Sequence, residues 1–263
     1  GIEFLPDYCT VPTNPYWWAC PAPGGAAPSF QKTVNAPPAI VRFRPFDVWV
    51  GFRCGAQSVR NNDYVARANR QIEAFQSFLV ARELWTGAYV ATPASFDNDF
   101  FEASPTLLNG GAVTGYVTAL AELEQELATC QPGQIGVIHA QPRTVTYWIQ
   151  NGLVVAEPSG RRLRTLLGTI VVPDAGYDGG GTAQGVGDLG DAYAYGTGMV
   201  RIWLGPIRRL LDESSEPVEA HGLNTAEIDR SVNTFAVRVE RTVAAVWDEC
   251  CQAGVRVNHT TAL

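Results

Sequence analysis

The alternation of apolar and polar positions changes period several times along the chain, and each change marks an element. From Ile40, IVRFRPFDVWVGFRC alternates around Pro45, with Phe46, Val48 and Val50 on one side and Trp49 on the other. Proline cannot donate to a sheet ladder, so the pattern predicts a strand broken by a bulge or bend at Pro45. The period then lengthens. In NNDYVARANRQIEAFQSFLVARELWTG, the residues Val65, Ala68, Ile72, Phe75 and Leu79 recur at spacings of three and four, which predicts a helix over 62–86 with that stripe as its core face. Asn62 or Asp63 suits its N-cap, and Gly87 suits the left-handed position after its last turn. At ~1.5 Å per residue, about 22 helical residues give a rod of roughly 33 Å. After a loop-like stretch over 88–112, a second helix is predicted over 113–129, with Tyr116, Leu120, Leu123 and Leu127 on one face. IGVIHA (135–140) reads as a short buried strand. PRTVTYWIQNG reads as a short helix opened by proline. LGTIVVP (167–173) reads as another buried strand. AYAYGTGMVRIWLG (192–205) forms one or two strands, and 233–257 is strand-rich.

Two stretches carry no period. Residues 1–40 hold six prolines before residue 29, and Tyr16, Trp17 and Trp18 lie among them. Such a segment builds neither helix nor ladder, yet three adjacent aromatics favour burial. It reads as an arm lying either on its own domain or on a neighbouring subunit. The second stretch is DAGYDGGGTAQGVGDLGDAY (174–193), with seven glycines and no cation. It contains Gly179, Gly180, Gly181, Gly185 and Gly187. No GxGxxG lies between a strand and an immediate helix, no Lys-Ser or Lys-Thr follows, and Asp178, Asp188 and Asp191 would repel a phosphate. A mobile surface loop is the better reading. Deleting 179–187 is then expected to leave the subunit's stability nearly unchanged.

Composition narrows the chemistry. The formal charge is −7, so the surface is not built to grip nucleic acid broadly. Lys32 is the only lysine, and the other cations are arginines, which suit interfaces. No run approaches the roughly 20 apolar residues of a membrane span, and the first residues lack the order of a signal peptide. Cys9, Cys20, Cys54, Cys130, Cys250 and Cys251 contain no C-x-x-C, which argues against zinc. Reduced thiols in a cytoplasm are the default, with a Cys9–Cys20 pair open after release, and Cys250 and Cys251 read as small buried side chains. His139, His221 and His259 are read as structural, and Asn258-His259-Thr260 matches a glycosylation sequon without a context for it. No nucleophile, base and orienting group come together, so no catalytic residue, metal or cofactor is assigned.

The order of these elements, with the strings RFRPFDVWVGF, ARELWTG, IGVIHA, LGTIVVP, YGTGMVRIWLGP and RVERTVAAVWD, resembles the Hong Kong 97 capsid fold. That α+β fold is shared by major capsid proteins of tailed bacteriophages and by encapsulin shell proteins, and the likeness is greatest to capsid proteins of actinobacterial phages. It covers roughly residues 40–257. The resemblance implies an N-terminal arm over 1–19, an extended loop over 20–45, and a peripheral domain over 46–114 with a spine helix over 62–86. It implies an axial domain over 115–205 and a return to the peripheral domain over 206–263. The glycine loop over 174–191, with Gly179, Gly180, Gly181, Gly185, Gly187 and Asp188, would lie at the capsomere axis. Tyr16, Trp17, Trp18 and Lys32 would make contacts between subunits. The implied function is an icosahedral shell of pentamers and hexamers around double-stranded DNA, assembled in the bacterial cytoplasm without a cofactor or membrane. Decoration, scaffolding or portal proteins are its possible partners, and the DNA would be held weakly. Two other readings stay open: an encapsulin-type compartment around a cargo enzyme, and a small α/β enzyme with the glycine stretch as a lid.

Overall fold

A computed structural model describes residues 2–4, 41–55, 64–87, 98, 100–102, 105–131, 133, 135–160, 162–181, 190–210, 227–229, 234–247 and 251–259. Tyr16, Trp17, Trp18, Lys32, Gly185, Gly187, Asp188, Cys9, Cys20, Cys250 and His221 lie outside them. Strands β1 (Ile2–Phe4) and β2 (Val41–Phe43) pair antiparallel, which sets Phe4 beside Val41. The chain breaks at Arg44-Pro45, as the proline requires, and continues as β3 (Phe46–Gly55). Phe46 and Val48 point inward and are buried, while Trp49 points outward and is exposed.

Helix α1 runs Tyr64–Thr86. Gly87 closes it with a φ of 61°, and its N–H donates to the Glu83 carbonyl at 2.8 Å. Its buried face departs from the stripe read in the sequence. Ala68 and Ile72 are buried, Val65 and Leu79 are half-buried, and Phe75 is 55% exposed. The contact advances in steps of four, Tyr64 to Ala68 to Ile72, which rotates it about 40° per step around the axis. By the middle of the helix Gln76 has turned toward the sheet, where it accepts a hydrogen bond from Arg241 at 2.6 Å. Phe75 is thereby left on the outer side. The last turns then bury Val80, Ala81, Leu84 and Trp85 in a different cluster.

Two sheets are joined by that cluster. In the first, β14 (Thr234–Val246) pairs along one edge with β3. Along its other edge it pairs with β11 (Arg201–Leu204), β12 (Arg208–Leu210) and β13 (Glu227–Asp229). Tyr64, Ala68 and Ile72 of α1 cover its inner face together with Val239, Val50 and Phe52. The second is a mixed eight-stranded sheet. Its central strand β10 (Asp191–Thr197) lies between β15 (Gln252–Asn258) and β6 (Val137–Ala140). Outside β15 lie β4 (Thr106–Leu107) and β5 (Val113–Gly115), both parallel to it. Beyond β6 come β9 (Ile170–Pro173), β8 (Leu163–Thr165) and β7 (Val154–Ala156).

Alternation in β10 explains what covers each face of this sheet. Ala194 and Gly196 point toward α2 (Tyr116–Cys130), where a Cβ on Gly196 would crowd Leu123 and Leu127. Tyr193 and Tyr195 point the other way into the aromatic cluster that also holds Phe43, Phe100, Phe101, Tyr177 and Trp247. Helix α3 (Pro142–Gln150), opened by its proline, lies on the same side as α2, and its Trp148 indole donates to the Tyr116 carbonyl at 2.8 Å.

This topology refines two sequence readings and corrects two others. AYAYGTGMVRIWLG is two strands in two different sheets, because the chain crosses between them at Gly198-Met199-Val200. The 233–257 stretch likewise divides: β14 belongs to the first sheet and β15 to the second. β11 thus belongs to the first sheet and β15 to the second. The strand in LGTIVVP begins only at Ile170, since Leu166 and Leu167 form an exposed turn. Cys130 and Cys251 are joined as a disulfide with their Cα atoms 5.6 Å apart, instead of being reduced thiols. They are 121 residues apart, and only the packing of α2 on β15 brings them together.

Candidate functional site

The glycine stretch, read as a thin exposed loop, is packed at its root. Gly176, Tyr177, Gly179, Gly180 and Gly181 are all buried. A Cβ on Gly176 would collide with the Phe78 carbonyl oxygen, so the loop lies directly on the backbone of α1. Gly179 has a φ of 78° and leaves no space beside Gln141 and Ala192, so glycine is required on two counts. Gly181 lies as closely against the Tyr193 ring. The carbonyl of Gly180 accepts from the Trp85 indole at 3.1 Å and from the Tyr195 hydroxyl at 3.4 Å. Gln141 donates to the Asp178 carbonyl. Asp174 and Asp178 each fold back onto a backbone N–H two residues on, at 2.7 and 2.8 Å. These aspartates therefore shape the turn.

A buried polar chain fastens the same root to β6 and β10. Thr197 donates its hydroxyl proton to the Gly198 carbonyl at 2.8 Å. It must therefore accept from His139 Nε2–H at 3.1 Å, which leaves Nδ1 to accept from the Tyr177 hydroxyl at 2.9 Å. Every polar atom of the imidazole is satisfied. Burial holds His139 neutral, lowering its pKa to about 3, and pushes the Tyr177 and Tyr195 hydroxyls well above the usual phenol range. A base this deeply neutralised and already paired on both nitrogens has a structural role. His259, read as structural from the sequence, is also buried; its ring stacks on Tyr147 and its Nε2 meets the Thr144 hydroxyl at 2.9 Å.

Trp85 is the residue that sequence reasoning missed. Its ring lies 4.8 Å from Tyr195, 4.9 Å from Tyr177 and 5.6 Å from Phe101. It thus joins the end of α1, the loop root and the second sheet at one point. The signal available was Tyr177, the only aromatic between Pro173 and Tyr193, since a lone aromatic among glycines needs a pocket. Among the described residues, no group of three His, Cys, Asp or Glu side chains is placed to hold a metal ion. No helix among them is long and apolar enough to cross a membrane.

Neither a protein-family model nor a curated protein matches the sequence. Solved structures do match the fold. A chain from the capsid of a native GTA particle aligns with a TM-score of 0.52 at 10% identity, over 89% of this chain and 81% of that one. A chain from Gordonia phage Cozz aligns at 0.51 and 14%, over 97% and 80%. One from Mycobacterium phage Cain aligns at 0.50 and 14%, over 85% and 75%. The chain has the fold of a capsid protein. At these identities the likeness lies in the path of the backbone, and the side chains described above are this chain's own solution to filling it.

Proposed function

We propose that this chain is a major capsid protein that assembles through pentamers and hexamers into an icosahedral shell around double-stranded DNA. The fold likeness to the native GTA capsid, over 89% of this chain, carries the reading. In terms of the Hong Kong 97 architecture, the first sheet and α1 correspond to the peripheral domain, with α1 as its spine helix. The eight-stranded sheet with α2 and α3 corresponds to the axial domain. Residues 1–19 supply the arm and 20–45 the extended loop, and the glycine loop reaches the capsomere axis. Assembly takes place in the bacterial cytoplasm, and the finished protein resides in the virion. The role is mechanical: the net charge of −7 suits a wall that confines DNA without binding it tightly.

The firm root of the glycine loop supports the axial placement. A loop root anchored by Trp85, Tyr177 and His139 fixes where the loop leaves the domain, as a loop directed at an axis requires. Sedimentation velocity of the purified chain tests the reading. Particles in the megadalton range are expected, and a homogeneous species of 28.4 kDa would contradict it. Particles from infected cells that hold protein cargo in place of DNA would favour the encapsulin-type compartment.

A further inference from the structure

The first sheet has two faces, and among the described residues only one is covered. Residues paired across antiparallel strands point to the same side. Val239, Val243 and Ala245 of β14 point inward and are fully buried. The alternate positions therefore point outward, and the register assembles them into rows. Trp49 lies beside Glu240, which lies beside Arg208. Trp203 lies beside Ala244, and Arg201 beside Val246. Arg238 reaches over the Trp49 ring, its guanidinium carbon 4.8 Å from the centroid. Trp49 is 57% exposed and Trp203 51%, and the three arginines are exposed as well.

We infer that this outward face is a contact surface between copies of the chain, centred on Trp49 and Trp203 and receiving an acidic surface of a second copy. The inference rests on the shell-forming reading and names the surface that reading would use. Two tryptophans and three arginines on one exposed face are the residue types that dominate binding energy at protein interfaces. The cation–π stack holds Arg238 and Trp49 in place before any partner arrives, which lowers the ordering cost of binding. Charge selects the partner. The face carries a small excess of arginine over Asp47 and Glu240, whereas the whole chain has a net charge of −7, so a second copy offers the complementary sign. Nucleic acid fits less well, because three arginines interspersed with Asp47 and Glu240 fall short of the clustered cations that a run of phosphates needs.

Photo-cross-linking in purified assembled particles tests this. Trp49→p-benzoylphenylalanine, irradiated in the particle, should give a covalent dimer of the chain at about twice the monomer mass on a denaturing gel. The same substitution at Phe75, on the outer side of α1, serves as the comparison. The double variant Trp49→Ala, Trp203→Ala should keep the wild-type circular dichroism and lose at least ten-fold in particle yield. A product linked to nucleic acid, or monomer alone, would overturn the inference while leaving the shell reading intact. So would a double variant that assembles as wild type. Failure of the unmodified chain to assemble at all would instead count against the shell reading.

Discussion

Ile72 and Phe75 are three residues apart and identical in sequence logic, yet Ile72 is fully buried and Phe75 is mostly exposed. Ile72→Ala should therefore cost ~2–5 kcal/mol of stability, as cavity-forming substitutions do. Phe75→Ala should change it by no more than about 0.5 kcal/mol, as for surface sites. Urea unfolding of the two variants distinguishes this helix face from the one the sequence stripe predicted. His139 supplies a pH test. It stays neutral in the folded protein down to about pH 3, whereas in the unfolded chain it titrates near 6.5. Between those values the unfolded chain binds the extra proton, so stability falls as the pH drops through the window, by up to ~1.4 kcal/mol per unit. His139→Gln should lose less stability than the wild type between pH 6.5 and 4.5. An unchanged slope would mean that this imidazole is not held neutral.

At the scale of elements, the root of the glycine loop is the sharpest test. Removing 179–187 takes away the Gly180 carbonyl that Trp85 and Tyr195 use, leaving a buried indole N–H unpaired. An unsatisfied buried donor costs ~1–3 kcal/mol. The deletion should lower the Tm by several degrees, where a freely exposed loop would show almost no change. The disulfide makes a second prediction: a non-reduced peptide map should contain Cys130 linked to Cys251, and reduction should destabilise the fold by about 2–4 kcal/mol. What sequence revealed and what it hid divide along a physical line. The break at Pro45, the cap at Gly87, α2 with Leu120, Leu123 and Leu127, and Pro142 at the head of α3 are local, set by period and backbone chemistry. The buried loop root, the crossing between sheets after Thr197, and the Cys130–Cys251 pair depend on residues brought together from distant segments. Phe75 shows the limit within a single helix, since the partner surface decides how the buried face turns.

On the scale of the molecule, the aromatic cluster around Trp85 joins the two sheets, so α1 and the loop root should respond together when either is displaced. Capsid proteins of this fold include some that weld their shells through a lysine. Here Lys32 is the only lysine in the chain, and the expectation is that it forms no such bond. Boiled, reduced particles should run as one band near 28.4 kDa, and a ladder abolished by Lys32→Arg would reverse that expectation. The central claim is that many copies of this chain close into a shell. Electron cryomicroscopy of the purified assembled protein tests it most directly. The account predicts closed icosahedral particles whose wall is built of pentamers and hexamers, with the glycine loop converging at their axes. Monomers, or open aggregates without symmetry, would contradict it.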